Sequence, residues 1–336
     1  MGPMSYRPFT TSSAEMPTTL TGSGFTLRRP EPGDATALGE LVGDVERAGD
    51  VVGGWVERWE SDGYGTWVVE GEGGELLGFV GLRPRSEDIT VTVRSSPEAA
   101  RDGRARAALR RAVAHALEWY PDVPLRMRVP ASDITTRGVA ESSGLIHVPE
   151  DDHEARGTAW RVLESPYVKV FDSLPAKARD RVVGLWERVN AGGGAVGFGP
   201  HATREDVEEE MDRRAQALSA GSLKGVALMS PTGDLLGVGF LRRASNPLMS
   251  HVRNVEVVMV EPEQRGLSLG RHLMAGIHRT AREEGVEILT LDYRDGLGLG
   301  DFYESLGYTE VGRHAGLIRV AEGDDRDGVM MMRRIG

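Results

Sequence analysis

Arg265-Gly266-Leu267-Ser268-Leu269-Gly270 places small residues in a turn between an apolar strand pattern, VEVVMV, and a helical one. In such a turn successive backbone N–H groups point inward. The first turn of the following helix adds the positive end of its dipole, so the site suits a phosphate or a similar anion. Arg265 adds a cationic side chain beside it. No Gly-Lys-Ser/Thr follows, which argues against a P-loop, and the one GxGxxG string, Gly192 to Gly197, follows a helix and reads as a loop. Ser268 stands where glycine adopts φ > 0 most easily. Either it displaces the turn slightly or its hydroxyl donates to the anion.

Gly266 to Gly270 also spells GxSxG, and Asp292 and His314 follow in the order that a serine nucleophile with its acid and base requires. A nucleophile elbow turns straight off its strand, whereas Glu261 to Arg265 intervene here. The surrounding elements favour the anion turn.

Those elements occur twice. FTLR then Asp34 as a helix cap, and Val168 to Phe171 then Ser173 as a cap, open two similar halves, with Glu164-Ser165-Pro166 as a linker. Each continues with a hairpin, GTWVVEGEGGELLGFVGLR and GVALMSPTGDLLGVGFLRR, then a strand, DITVTV and NVEVVMV. Each strand runs to a Pro-Glu pair and a long amphipathic helix. A shift of 165 sets Pro97 on Pro262, Leu109 on Met274 and Ala112 on Ile277, so the apolar stripes coincide. Pro97 to Gly144 and Pro262 to Gly307 are nearly equal spans, 47 and 45 residues. An internal duplication is the economical reading.

On these residues the sequence resembles the Gcn5-related N-acetyltransferase (GNAT) superfamily in both halves. VMVEPEQRGLSLGRHLM is similar to its motif A, and DFYESLGY to its motif B at Phe302, Tyr303, Glu304, Leu306, Gly307 and Tyr308. SSPEAARDGRARAALRRAV and DITTRGVAESSGL resemble its ribosomal-protein-acetyltransferase branch, and tandem proteins of this kind occur in actinomycete antibiotic clusters such as that for clavulanic acid. The resemblance implies an α+β fold of two tandem domains, a mixed sheet in each. A flexible tail over 1–21, a degenerate GNAT-like domain over 22–163 and a GNAT domain over 167–336 are expected.

It further implies acetyl-CoA, or another acyl-CoA, as cofactor. The diphosphate would sit on the amides of Arg265, Gly266, Leu267, Ser268, Leu269, Gly270 and Arg271, beside Phe302. The pantetheine arm would pair with Val258, Met259 and Val260, where a backbone amide would also polarise the thioester carbonyl. Tyr303 matches the usual general acid. A phenol near pKa 10 facing a thiolate near 8.5 is uphill by about 2 kcal/mol, so hydrogen bonding without full proton transfer also fits. Glu256 shares a strand face with Val258 and Val260 and is the first candidate base through water, with Asp292 second. The acidic run REDVEEEMDRR, from Glu205 to Asp212, is a candidate wall for a cationic acceptor or a solvated face.

In the first half Ala140 replaces Tyr303, while Arg101, Asp102, Gly103, Arg104, Ala105 and Arg106 still permit a phosphate turn. That half is expected to bind acyl-CoA and serve structure rather than chemistry.

Composition bounds the alternatives. The net charge of −11 argues against general nucleic-acid binding. The absence of cysteine removes disulfides and thiolate chemistry, and the eight histidines lack zinc-ligand spacing. No apolar run spans a membrane and no signal peptide is evident. A cytoplasmic monomer or homodimer acylating a small-molecule amine is expected. A peptide or protein amine acceptor, and a non-catalytic acyl-CoA-binding regulator, stand as alternatives.

Overall fold

The two helices whose apolar stripes align at a shift of 165 each form the spine of a separate sheet. The structure, a computed structural model, describes residues 17–85, 87–120, 123–199 and 201–335. The chain divides into two units between Tyr167 and Val168.

In the first unit, β1 (Leu20–Gly22) and β2 (Phe25–Arg28) form a hairpin, followed by α1 (Ala35–Val42) and α2 (Val45–Asp62). A meander of β3 (Thr66–Gly71), β4 (Leu76–Pro84) and β5 (Ile89–Ser95) leads to α3 (Pro97–Arg101) and α4 (Arg104–Trp119). Then come β6 (Leu125–Pro130), α5 (Ile134–Ser142), β7 (Ile146–His147), β8 (His153–Ala155) and β9 (Thr158–Glu164). The sheet order is β1-β2-β3-β4-β5-β6-β9-β7, with β8 beside β9. The β5–β6 pair is parallel, as the intervening α4 crossover requires, and it spans only Ile89–Leu125 and Thr90–Arg126.

The second unit repeats this plan. β10 (Tyr167–Phe171), α6 (Ala176–Ala191) and α7 (Arg204–Ser219) precede the meander β11 (Leu223–Met229), β12 (Leu235–Arg243) and β13 (Val252–Val260). The crossover helix α8 (Leu269–Glu283) leads to β14 (Ile288–Arg294), α9 (Leu299–Glu304) and a long hairpin, β15 (Thr309–Ala321) with β16 (Asp324–Arg334). Strand order is β10-β11-β12-β13-β14-β16-β15. The mixed α+β fold expected from the sequence is the fold observed.

α8 is buried along nearly its whole length, with Leu273, Met274, Ile277 and Ala281 inaccessible. Burying each of the larger side chains is worth roughly 1.5–3 kcal/mol. Gly276 lets β10 lie against the helix, because a Cβ there would stand 2.5 Å from Val168 Cγ2. On the other face Trp186 of α6 is buried, and its Nε1 donates to Val196 O at 2.9 Å. That bond ties down the glycine-rich stretch after α6, which becomes a wall of the site.

Three local expectations are corrected. Of the tail expected over 1–21, residues 1–16 lie outside the described residues, but Leu20 is buried in β1 and pairs with Leu27. Pro175, not Ser173, precedes the first turn of α6, where its fixed φ suits helix entry. The linker is shorter than read. Glu164 belongs to β9, and Ser165 is buried, its hydroxyl accepting from Leu125 N at 3.2 Å.

Candidate active site

The site of the second unit begins where two parallel strands part. β13 and β14 pair from Val252–Ile288 to Val255–Leu291 and no further among the described residues. The cause is local. Val257 sits at φ 52, a left-handed conformation that costs a β-branched residue dearly, and the β12–β13 register shifts there between Val238 and Phe240. Beyond this bulge Met259 and Val260 pair with Val238 and Gly237 of β12 on one side only. Their β14-facing backbone edge is open to a ligand.

The strand then delivers the chain to the anion turn. Gly266 lies at φ 85 and Ser268 at φ 64, ψ 9, where Ser268 opens α8. Serine therefore holds the left-handed conformation itself. The first intrahelical bonds of α8 run from Arg271 N and His272 N to Ser268 O, at 3.0 and 3.1 Å. The amides of Leu269 and Gly270 precede them in the first turn, the orphan donors that anions take. Phe302 packs over Gly270, where a Cβ would lie 3.4 Å from its ring. Arg265 Nη2 reaches Gly192 O at 3.5 Å, and Arg271 donates to Ser305 Oγ at 2.7 Å, tying the turn to the end of α9.

Tyr303 of α9 is buried in an aromatic cluster, its ring centroid 5.9 Å from Tyr293, 5.1 Å from Phe302 and 5.8 Å from Tyr308. Burial, then the neighbouring Tyr293, pushes its phenol up to about 12. It keeps its proton across the physiological range.

The two candidate bases differ sharply. Glu256 is not a free carboxylate. Arg242 Nε lies 2.5 Å from its Oε1 and Arg214 Nη1 lies 2.8 Å from its Oε2. Burial raises its pKa, but the two guanidinium hydrogen bonds outweigh that and hold it below the usual carboxylate range. This ion-paired group is a poor proton acceptor, which corrects the first choice made from strand periodicity. Asp292 is pushed the other way: burial raises its carboxyl, the charge of Glu256 raises it further, and His314 opposes.

Asp292 opens into a cavity of about 540 Å³ whose lining also includes Phe198, Tyr293, Arg294, His314, Leu317 and Met330. The loop after α6 and the β15–β16 hairpin enclose it. Ser268 is not among its lining residues, so Asp292 and His314 meet each other without the serine of the GxSxG reading. The acidic run of α7 is also largely spent: Glu208 pairs with Arg204, Glu210 with Arg213 and Arg214, and Asp212 with Arg179. Asp206 caps its own helix through Thr203 N. Sequence reasoning missed the apolar wall from β15. The adjacent apolar pair Leu317-Ile318 in β15 was its signal.

In the first unit Gly103, at φ 85, opens α4 as Ser268 opens α8, and Ala105 is buried beneath it. The cradle is occupied from within. Asp102 Oδ1 accepts from Arg104 N at 3.0 Å, and Arg104 is held by Asp102, Glu75 and Glu98. The backbone bond and the Arg104 guanidinium keep Asp102 ionised well below its ordinary range. Arg101 turns back to Pro97 O, and Arg106 leans over Gly103. An incoming diphosphate meets a resident carboxylate, which argues against the acyl-CoA binding expected of this half. Ala140, in place of the phenol, is fully buried.

Residues 200–316 match the family profile described as an acetyltransferase (GNAT) domain. Among similar solved structures is a ribosomal-protein-alanine N-acetyltransferase from Brucella melitensis, 16% identical with a TM-score of 0.41, covering 50% of this chain and 98% of that one. Another is an acetyltransferase of the GNAT family from Streptococcus pneumoniae, 15% identical with a TM-score of 0.41, covering 50% and 99%. The profile match lies over the parted strands and the anion turn, and supports an acetyl-CoA-dependent acyltransferase site in the second unit. No helix among the described residues is long and apolar enough to cross a membrane.

Proposed function

We propose that the second unit transfers an acetyl group directly from acetyl-CoA to the amine of a small molecule held in the Asp292 cavity. The observation that carries this reading is the gap between β13 and β14: their pairing ends at Val255–Leu291, just before the bulge at Val257, and the next residue of β14 is Asp292 of the cavity. The diphosphate lies on the amides at the start of α8, those of Leu269 and Gly270, since the amides of Arg265 and Leu267 already donate to Pro262 O and Gln264 O at 3.3 Å. Pantetheine amides extend the open edge of Met259 and Val260. The thioester is thereby fixed for attack, which supplies much of the rate by orientation alone.

The amine must arrive unprotonated. Asp292 takes its proton, directly or through one water, because its raised affinity matches a base better than the ion-paired Glu256 does. The nitrogen then attacks the thioester carbonyl while a strand amide stabilises the developing oxyanion. The tetrahedral intermediate collapses with cleavage of the C–S bond, and the remaining extra proton on the nitrogen passes to the departing sulfur to give amide and free thiol. Tyr303 donates a hydrogen bond to that sulfur as its charge develops.

Release of free thiol from acetyl-CoA, measured against a panel of polyamines, aminoglycosides and amino acids, tests this. Turnover with one class, abolished in Asp292→Asn, is expected. Acetyl-CoA binding with no release for any amine supports instead a non-catalytic acyl-CoA-binding regulator.

A further inference from the structure

The first unit has its own cleft at the corresponding place on its sheet, with a different set of charged residues. In β6 the buried residues are Leu125, Met127 and Val129; in β14 they are Leu289, Leu291 and Tyr293. Matching these alternations places Arg128 where the second unit has Asp292. The paired positions Thr90–Arg126 and Asn254–Thr290 then coincide, which puts Thr92 in the place of Glu256. Both carboxylates at the mouth of the strand gap are gone from the first unit, and a guanidinium occupies the position of the base.

Around Arg128 lies a cleft of about 790 Å³ that Arg85, Arg126, Arg156, His153 and Trp160 also line. Two acids, Glu87 and Asp88, also line it, against four arginines. Asp88 is buried and saturated, accepting from Arg128 Nη2 at 2.6 Å and from Thr90 Oγ1 at 3.1 Å. Arg126 is held by Glu164 and Asp151 at the rim. Arg85 and Arg156 have no carboxylate partner within 4 Å among the described residues. Arg156 is presented at the tip of the β8–β9 turn at φ 52.

We infer that this cleft binds a small organic polyanion, its carboxylate or phosphoryl oxygens on Arg85, Arg128 and Arg156 and its carbon frame against Trp160. Guanidiniums bind both oxyanion types through paired N–H donors, and the fixed Asp88–Arg128 bond orients one of them in advance. The size is that of a metabolite site rather than a macromolecular groove. The first unit is thereby a ligand-binding domain that kept the strand gap and exchanged its chemistry, with its anion turn closed by Asp102.

The test is isothermal titration of the full chain, saturated with acetyl-CoA, with citrate and separately with pyrophosphate at constant ionic strength. The double variant Arg85→Ser, Arg156→Gly removes two exposed groups, and circular dichroism verifies that it is folded. One-to-one binding of at least one anion, weakened tenfold or more in the folded double variant, is expected. Citrate alone identifies a carboxylate ligand and pyrophosphate alone a phosphoryl one. Binding of neither anion, or equal binding by the double variant, overturns the inference.

Discussion

Gly103 and Ser268 occupy the same place in the two halves, 165 residues apart, each opening the long crossover helix from the left-handed region at φ 85 and φ 64. The backbone demand is identical, and only one half meets it with glycine. A left-handed L-residue costs roughly 1–2 kcal/mol, while glycine loses about 0.5–1 kcal/mol in added unfolded-chain freedom. Ser268→Gly should therefore raise stability by about 0.5–1 kcal/mol, and Gly103→Ala should lower it by a similar amount or more. Denaturant unfolding checks both signs.

Tyr303→Phe removes a hydrogen-bond donor without changing the packing of the aromatic cluster. A donor to the leaving group of this kind is worth on the order of 10²-fold in kcat. The KM for acetyl-CoA should stay nearly constant, since the phenol acts on charge that appears only during C–S cleavage. With its phenol at about 12, Tyr303 contributes no alkaline limb below that pH.

The pH profile should belong to Asp292. Its raised affinity for a proton means that the base form grows as pH rises above the ordinary carboxylate range, so kcat/KM climbs from the acid side and levels off. Asp292→Asn should remove that limb together with most of the activity. The same shift has the opposite sign for stability. A carboxyl with a raised folded-state pKa stabilises the fold at low pH, and this contribution is lost as pH rises through the folded value.

Glu256 behaves inversely. Its folded pKa is depressed by Arg242 and Arg214, so its stabilisation is present above the unfolded carboxylate value and lost as pH falls through the folded one. Glu256→Gln leaves Arg214, 8% exposed, without its carboxylate partner on β13. The cost should be about 2–4 kcal/mol by thermal or denaturant unfolding. A loss of activity with unchanged stability would instead restore Glu256 as a base.

Much of this was legible in the sequence because local patterns carry it. The Pro97–Pro262 shift and the apolar stripes place both crossover helices, and turn chemistry places both hairpins. What was not legible depends on partners far apart in the chain. Arg214 on α7 and Arg242 on β12 meet Glu256 on β13 only once the sheet is built, so period-two alternation showed a free carboxylate where an ion-paired one stands. The cavity depends on register shifts in β15, between His314 and Ile318, that no periodicity encodes. Asp102 as an internal anion follows from one side-chain rotamer, and the string RDGRAR alone does not reveal it.

Amide hydrogen exchange of the full chain with and without acetyl-CoA addresses the central claim most directly. The account predicts strong protection across Val257 to Gly270, where strand edge and helix amides meet the cofactor, and no change across Ser96 to Arg106. Protection confined to the first unit, or absent from both turns, would contradict it.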